Sequence, residues 1–482
     1  MQNEENTISQ AQGSDFPFSP PAQSVQYQTE NVQSTQIPQN SPPAPPPPKP
    51  KLSKFKLGQI IKIFIGVLVF LVIIMVLFFA ASKLLNKESS GVNLTFWGLW
   101  EDGKTMQTVL SDFERQHQGV KVNYSREDLK QYKDRLLTRT EKGNGPDIFL
   151  YHNTWRTVLS DILLPLPSSV VSAQEFNNYF DVAKTDLVKN GAIYGIPQNM
   201  DTLVMYVNTD ILASGGVNIP SNWNDFIDAS RSLTVKDEEG KIVTAGTAMG
   251  TFGNVTHAPD IVSLLFLQNG VDTKNLDATS DRAIGALNFY TAFSIDENNV
   301  WDDSMEPSIL AFSKGKLGMY FGYSWDYFTI KAANPSINMQ IVPVPQLGND
   351  PVNLASYWVM GASVKSKNQK QVLDLIKYLS SKDVLTKLYL EEAKTRPFGQ
   401  PYPRIDMASN LKDTIIYPSV LQGQTANSSL FVDAAGENGI NQELNTYLEN
   451  AINTINDGTS VESAFETFKQ GVAQVLDKYG AR

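Results

Sequence analysis

The chain of 482 residues contains no cysteine. This absence excludes disulfide bonds, a metal site with thiolate ligands, and an anchor made by a lipid attached to cysteine. Any attachment to a membrane must therefore come from the polypeptide itself. We also predict that the protein holds no cofactor and no metal ion.

Runs of basic residues are missing from the long part of the chain beyond residue 91, and the formal net charge of the whole chain is −10. Proteins that bind nucleic acids need Lys and Arg to neutralise phosphates. The charge therefore argues against a nucleic-acid partner. It favours a small ligand that is neutral or cationic.

Several short catalytic motifs are also absent. The sequence has no HExxH, no GxSxG, no GxGxxG and no P-loop, which argues against zincins, α/β-hydrolases, dinucleotide-binding enzymes and ATPases. Glycoside hydrolases carry no such short motif, and two carboxylates such as Glu101 and Asp201 would suffice as their acid and base. A surface glycosidase therefore remains an alternative.

One long apolar run is present: residues 63–81 are nineteen residues without a charged side chain. At about 1.5 Å per residue, a helix of this length approaches the roughly 30 Å core of a bilayer. Basic residues are more numerous before the run than after it, which predicts a cytoplasmic N-terminus and an extracellular or periplasmic body. A cleaved signal peptide is the alternative, with Ala80-Ala81-Ser82 as its cleavage site.

The composition divides the chain into four parts. Residues 1–58 are rich in Gln and Pro and predict a disordered cytoplasmic leader, which serves either as a spacer or as a docking segment. We predict a transmembrane helix over 59–82 and a linker over 83–91. Residues 92–482 have an ordinary globular composition and suffice for two lobes.

Strand and helix patterns alternate in the body, which predicts an α/β fold with a mostly parallel sheet. The predicted strands are 92–97, 120–124, 147–151, 193–197, 203–207, 317–321 and 339–342. The predicted helices lie around 106–113, 129–137, 223–230, 261–265 and 461–478. The last hundred residues read as almost wholly helical. Ligands of such sheets bind beyond the carboxyl ends of the strands.

Six segments follow one another between residues 92 and 480. They are Leu94-Thr95-Phe96-Trp97, Gly145-Pro146-Asp147-Ile148, Tyr194-Gly195-Ile196-Pro197, Met205-Tyr206-Val207-Asn208-Thr209-Asp210, Pro220-Ser221-Asn222-Trp223 and Phe312-Ser313-Lys314-Gly315-Lys316-Leu317-Gly318-Met319. In order and spacing they resemble the carbohydrate-type extracellular solute-binding proteins of ABC importers, the maltose-binding-protein-like family.

The resemblance implies a periplasmic-binding-protein-like fold, in which two lobes joined by a hinge close over a ligand in the cleft between them. Carried onto this chain, the first lobe is about 92–200 and 325–380, and the second is about 201–322 and 383–482. The chain then crosses between the lobes near Asn199, Gly322 and Lys382.

Sugar sites combine aromatic rings, which cover apolar C–H faces, with polar groups that bind hydroxyls. Tryptophans at predicted strand ends or in adjacent loops are therefore candidates. The resemblance adds acidic residues and a tyrosine, because the family places such groups in the loops of the cleft. The predicted ligand-binding residues are Trp97, Trp100, Glu101, Asp102, Tyr151, Asp201, Asn254, Tyr323, Trp325, Trp358 and Arg396.

Other roles are open for several candidates. Asp102 is also placed to cap the following helix, and Tyr151 and Trp358 are also suited to the core. Trp223 begins a helix and is expected in the core, while His257 is expected as a surface or helix-start residue. Near Asn441 the chain lacks an aromatic that some maltose-type members have, which argues against a long platform for linear maltodextrins.

The sequence therefore predicts a non-catalytic binding protein, held to the membrane by one helix. It captures a mono- or oligosaccharide and passes it to the permease of an ABC transporter. The alternatives are a surface sensor or adhesin with the same fold and, less favoured, a glycoside hydrolase.

Overall fold

A computed structural model of the chain describes residues 57–85, 91–295, 299–432 and 438–482. All but the last two residues of the predicted leader, and most of the predicted linker, lie outside the described residues. The described chain divides into two units, with the boundary between Leu84 and Leu85.

The α-helices are α1 (Leu57–Leu85), α2 (Gly103–Gln116), α3 (Tyr132–Glu141), α4 (Ala173–Phe176), α5 (Asp181–Leu187), α6 (Thr209–Gly215), α7 (Trp223–Leu233), α8 (Ala258–Gln268), α9 (Ser280–Ile295), α10 (Ser308–Ser313), α11 (Asp326–Ala333), α12 (Gln369–Leu379), α13 (Lys382–Glu392), α14 (Tyr417–Gln422), α15 (Ile440–Asn456) and α16 (Val461–Tyr479). Short 3₁₀ turns occupy Asn153–Trp155, Leu276–Thr279, Ile405–Leu411 and Gly423–Thr425.

The strands are β1 (Val92–Gly98), β2 (Val120–Arg126), β3 (Ile148–His152), β4 (Val188–Lys189), β5 (Ala192–Ile193), β6 (Ile196–Pro197), β7 (Asp201–Thr202), β8 (Val204–Asn208), β9 (Val235–Lys236), β10 (Ile242–Thr247), β11 (Leu317–Gly322), β12 (Met339–Val342), β13 (Asn353–Ser356), β14 (Trp358–Ala362) and β15 (Ala426–Asn427).

The first unit contains α1 except for its last residue, Leu85. In the parts of the chain that the structure describes, no helix combines the length and the apolar character that crossing a membrane requires. The predicted membrane segment over 59–82 stays a prediction.

The second unit has two lobes, each built on its own sheet and core. The first sheet has the order β2-β1-β3-β14-β6, with β1 parallel to β2 and β3, and β14 antiparallel to its neighbours. Helix α2 packs beside it because Met106, Val109, Leu110 and Phe113 recur at helical spacing and are buried. This lobe presents Trp100, in the loop after β1, to the space between the lobes.

The second sheet has the order β12-β8-β11-β10-β9 and mixes parallel and antiparallel pairs. Trp223 at the start of α7 is 4% exposed and packs on Phe226 and Phe321, so its predicted core position is confirmed. Helices α15 and α16 close this lobe with the apolar faces of both helices.

Three short strands lie where the chain passes between the lobes. β13 pairs antiparallel with β7 and parallel with β15. Each of these strands connects residues of one core to residues of the other. They form a three-stranded hinge at the base of the cleft.

The two cores divide the chain differently from the predicted boundaries beyond the first crossing. Residues 326–344 belong to the second lobe, because β12 pairs with β8 along the edge of its sheet. Residues 382–425 belong to the first lobe, because α13 packs on α2 and Lys387 forms a 2.6 Å ion pair with Asp112. The second and third crossings therefore lie at β13 and β15, not near Gly322 and Lys382.

Two further details of the prediction were wrong. The segment 193–197 forms two short strands, β5 and β6, which belong to different sheets. The last hundred residues are not wholly helical, because Pro397, Pro401 and Pro403 follow α13 and open a long irregular segment.

Candidate functional site

A cavity of about 380 Å³ lies between the two lobes, above the hinge. Its lining residues come from both lobes and from the hinge itself. They are Trp100, His152, Asn199, Asp201, His257, Ser324, Trp325, Phe328, Thr329, Ser356, Trp358, Arg396, Phe398, Gly399, Gln400 and Pro401. The size is within the range of small-molecule sites, about 300–1,000 Å³.

The first lobe contributes an aromatic corner to the cavity. Trp358 begins β14 opposite His152 of β3, and its ring makes edge contacts with Trp100 at 5.3 Å and with Trp155 at 5.4 Å between centroids. Trp155 is buried behind this corner, whereas Trp100 is 39% exposed. The indole of Trp100 is therefore available to a ligand and supported from behind.

The second lobe contributes Trp325 from the turn between β11 and α11. Its indole is stacked on the ring of Tyr323, with centroids 4.4 Å apart and planes 13° from parallel. Tyr323 is held in turn, because its hydroxyl donates to Asp260 at 2.6 Å. Trp325 is 40% exposed and lines the cavity from the side of the second lobe.

The hinge contributes a fully buried carboxylate, Asp201 of β7. It accepts hydrogen bonds from the amide of Thr202 at 2.9 Å, and from the amide of Ser324 at 3.1 Å and its hydroxyl. Burial raises the pKa of Asp201 to about 7, although these hydrogen bonds partly oppose the shift. Its charge therefore changes near neutral pH.

Two histidines face the cavity in opposite charge states. Burial, with a smaller contribution from Lys133, lowers the pKa of His152 to about 3, so this ring is neutral. Burial also acts to lower the pKa of His257, but Asp326, 2.9 Å from its Nε2, and Asp260 outweigh burial and raise this pKa well above its ordinary value. His257 is therefore a cation held by carboxylates.

Arg396 lies in the irregular segment after α13. Its guanidinium forms a 2.7 Å ion pair with Glu392 and lies 5.5 Å from the ring centre of Phe328, which belongs to the other lobe. Phe328 also packs on Phe398, with centroids 4.7 Å apart. Residues of the two lobes thus meet at this side of the cavity.

Five of the predicted ligand-binding residues line the cavity together: Trp100, Asp201, Trp325, Trp358 and Arg396. They approach it from both lobes and from the hinge. Their roles toward a ligand remain predictions.

The other six predicted residues do not line this cavity. Trp97 packs near Tyr132 and under Arg139. Asp102 caps α2 by accepting from the amide of Thr105 at 2.8 Å, as its alternative role requires.

Three more of the six have roles within their own lobe: Tyr151 and Tyr323 are buried, and Asn254 is partly buried. Tyr151 lies in the core of the first lobe, and Tyr323 stands behind Trp325. Asn254 fixes a loop by donating to the carbonyls of Asp302 and Met305 at 2.8 and 3.0 Å. The sixth, Glu101, is buried behind the cavity beside Gln400.

Sequence reasoning missed most of the polar lining. His257 does precede α8, as expected, but its left-handed backbone (φ 65°) and its contact with Asp326 place it at the cavity rather than on the outer surface. The segment 398–401 carried no local signal, because the sequence does not show that it packs against a loop 299 positions earlier. Among the described residues, no group of three or more acidic or histidine side chains is arranged to hold a metal ion.

Comparison with known proteins agrees with this architecture. The maltooligosaccharide ABC transporter solute-binding lipoprotein of Streptococcus pneumoniae is 24% identical over 283 residues, which cover 55% of this chain and 63% of that protein. The match thus spans less than two thirds of that relative. An arabinooligosaccharide-binding protein of Halalkalibacterium halodurans is 29% identical over 127 residues, 24% of this chain and 26% of that protein.

Solved structures share the fold. The maltose-binding periplasmic protein of Listeria monocytogenes, in complex with maltose, has a TM-score of 0.63 at 18% identity and covers 81% of this chain and 99% of its own. An ABC transporter solute-binding protein from Thermotoga lettingae with bound α-D-tagatose has a TM-score of 0.62 at 19% identity. The match covers 80% of this chain and 100% of that protein.

The family model for bacterial extracellular solute-binding proteins matches residues 97–385. The matched region contains all strands of both large sheets except the start of β1. The chain therefore belongs to the bacterial extracellular solute-binding protein family.

Proposed function

We propose that this protein captures a neutral carbohydrate between its lobes and delivers it, chemically unchanged, to the permease of an ABC importer. One observation carries the proposal: Trp100 and Trp325, from different lobes, are both half-exposed in a single cavity that also contains polar groups. An aromatic ring on each side and hydrogen-bonding groups between them suit a sugar ring, which has apolar faces and a polar edge.

The hinge supports capture by closure. Because the cavity is lined by both lobes, a bound sugar contacts both and stabilises the arrangement in which they lie close together. The strands β7 and β13 are short, and a few residues at such element ends suffice for a hinge motion. The sugars in the names of the relatives support the same ligand class.

We further propose that residues 59–82 anchor the protein as a single membrane helix, with residues 92–482 outside the cytoplasm. The uncharged run at 63–81 and the basic residues before it support this arrangement. Because the chain has no cysteine, a lipid anchor of the kind named for the pneumococcal relative would have no acceptor residue here.

Calorimetric titration of the full chain in detergent micelles tests sugar capture. The ligands are maltose, maltotriose, arabinotriose, mannobiose and tagatose, and each mixture is analysed by chromatography afterwards. We expect micromolar or tighter binding of at least one sugar, recovered intact. Cleaved sugar would make the protein a glycosidase, and no binding to any of them would contradict the proposal.

The anchor is tested separately in cells. We expect the full-length mass in the membrane fraction, and proteolysis of the body when protease is added outside. A shortened protein that begins after Ala81 would show that the segment is a cleaved signal peptide instead.

A further inference from the structure

The segment 395–401 forms part of the cavity wall and is pressed tightly onto α13. A Cβ atom placed on Gly399 would lie 2.6 Å from the carbonyl oxygen of Tyr389, closer than such atoms approach. Gly399 itself lines the cavity. The backbone of the segment therefore has a fixed path. The groups that hold its polar side chains determine which hydrogen-bonding atoms a ligand meets.

Two buried carboxyl groups lie behind this segment: Glu101, 4% exposed, in the loop after β1, and Glu392, also 4% exposed, at the end of α13. Glu392 accepts a hydrogen bond from the amide of Gln400 at 2.7 Å and forms the 2.7 Å ion pair with Arg396. Glu101 accepts a hydrogen bond from the side-chain amide of Gln400. The two carboxyl groups thus hold both polar residues of the segment from behind.

The held residues keep hydrogen-bonding capacity that the protein does not use. Gln400 Oε1 and Arg396 Nε are buried, and neither has a hydrogen-bond partner in the described parts of the chain. Both residues line the cavity. Both atoms are closed to solvent in this arrangement, whereas the Arg396 side chain as a whole is 28% exposed. A small turn of the two side chains toward the cavity would offer one acceptor and one donor to sugar hydroxyl groups, since a hydroxyl donates one hydrogen bond and accepts others. Buried polar groups left without a partner cost free energy, so a ligand that satisfies them gains affinity.

The charges of Glu101, Glu392 and Arg396 add up to zero only when one of the two carboxyl groups is protonated. Burial, and secondly repulsion by Glu392, raise the pKa of Glu101 to about 8. Burial also raises the pKa of Glu392, against the attraction of Arg396. At neutral pH Glu101 is therefore protonated, and Glu392 is the counterion of Arg396.

Among the described residues, Arg396 is the cation that acts directly on both Glu101 and Glu392. The hydroxyl of Tyr124 on β2 donates to the backbone carbonyl of Glu101 at 2.7 Å. The remaining ionisable neighbours that interact with one or both carboxyl groups, directly or through Tyr124, are Asp102, Arg126, Tyr389 and Tyr402. The cluster of Glu101, Glu392 and Arg396 is thus neutral overall.

We propose that Glu101 and Glu392 are positioning residues that aim Arg396 and Gln400 at neighbouring hydroxyl groups of a neutral sugar. This inference rests on the proposed function and deepens it, because it names the polar side of the site and excludes sugars with a carboxylate or phosphate at that edge. A second ionised carboxyl group would draw Arg396 away from the ligand.

The first arm of the test needs no ligand. The melting temperature of the full chain in detergent micelles is measured from pH 5 to pH 9 for the wild type, Glu101→Gln and, as control, the exposed Glu141→Gln. The native wild type keeps the Glu101 proton to about pH 8, whereas the unfolded chain releases it near its ordinary value of 4.5. The wild type therefore loses stability over this range relative to Glu101→Gln, and we expect the difference to grow with pH. A constant difference, as for the control, would overturn proton sharing.

The second arm uses the sugar that binds most tightly among maltose, maltotriose, arabinotriose, mannobiose and tagatose, together with galacturonate as an anionic probe. At pH 7 we expect Gln400→Ala and Arg396→Lys each to weaken sugar binding about 10-fold. Between pH 7 and pH 9 we expect the sugar affinity of the wild type to fall, whereas the sugar affinity of Glu101→Gln should stay constant. Galacturonate binding is expected to be at least about 10-fold weaker than sugar binding.

The two proposals fail in different ways. If no sugar binds the wild type, the proposed function is wrong, and this inference about its ligand fails with it. If a sugar binds but Gln400→Ala and Arg396→Lys bind it unchanged, or Glu101→Gln follows the wild-type pH profile, only the positioning role is overturned.

Discussion

The indole of Trp325 lies flat against the ring of Tyr323, 4.4 Å between centroids, at the point where the second lobe meets the cavity. Tyr323 is 1% exposed and bonded to Asp260, whereas Trp325 is 40% exposed. A fixed partner thus orients an aromatic surface that remains open to a ligand. Such preorganisation reduces the entropy that binding must overcome.

Trp325→Ala should weaken sugar binding about 10- to 100-fold, as for buried aromatic anchors at binding sites. The melting temperature should change little, because the side chain is half-exposed. Trp325→Phe keeps a ring against Tyr323 and should retain most of the affinity. Unchanged calorimetric affinity of Trp325→Ala for a sugar that the wild type binds would remove this residue from the site.

Trp100 and Trp97 offer a matched comparison within one loop and strand. Trp100 lines the cavity and contacts Trp358, whereas Trp97 packs by Tyr132 and Arg139. Trp100→Ala should lower sugar affinity about 10-fold. Trp97→Ala should leave affinity within about 2-fold while lowering the melting temperature. The reverse pattern in the two titrations would show that the other side of β1 carries the ligand.

Asp201→Asn tests the buried carboxyl group of the hinge. The pKa of Asp201 is raised from its ordinary 3.8 to about 7 in the native state, so the unfolded chain releases this proton at lower pH than the native protein. The stability of the wild type therefore falls from about pH 4 to pH 7, relative to a variant that cannot ionise there. We expect the free energy of unfolding of Asp201→Asn to rise against the wild type by about 1–3 kcal/mol over that range.

Chemical denaturation of both proteins at pH 4, 5.5 and 7 measures this difference, and Asp237→Asn, on an exposed turn, serves as control. A difference that stays constant with pH would show that Asp201 is already ionised in the native protein throughout.

His257→Gln tests the cation between the two aspartates. Asp326 and Asp260 raise the pKa of His257 above its ordinary 6.5, so this group contributes stability that is fully present below pH 6.5. The contribution is lost as pH rises through the native pKa, because the unfolded chain releases its proton first. His257→Gln should therefore lower the free energy of unfolding by about 1–3 kcal/mol at pH 6, and by less at pH 9. Chemical denaturation of the wild type and the variant at both pH values measures this loss. A loss of stability that increases with pH would mean that the native ring is neutral.

The fold could be predicted because its signals are local. Helix α2 shows its buried face as a regular spacing of apolar residues, and the strands before and after it alternate. The lobe boundaries beyond Asp201 could not be predicted in this way. Strand β12 has the same local pattern whichever sheet it joins, and only its pairing with β8 assigns residues 326–344 to the second lobe.

The sequence predicts those residues of the site that follow the end of a strand or lie in a recognisable turn. Trp100 and Trp325 are of this kind. The polar wall around Gln400 was not predicted, because its chemistry depends on two carboxyl groups brought together from residues 101 and 392. Burial, which sets the charge of such groups, is a property of the packed lobes rather than of any segment.

Strand β14 sits inside the first sheet, between β3 and β6, yet it comes after every strand of the second sheet in the chain. When the polypeptide emerges with its N-terminus first, β3 has an unpaired edge while the strands of the second sheet are produced. An unpaired edge invites pairing with other chains. The order of the strands along the chain therefore completes the first sheet after the second, and of the described helices of the second lobe only α15 and α16 follow later. A truncation before residue 358 should expose the edge of β3 and aggregate rather than leave a folded half.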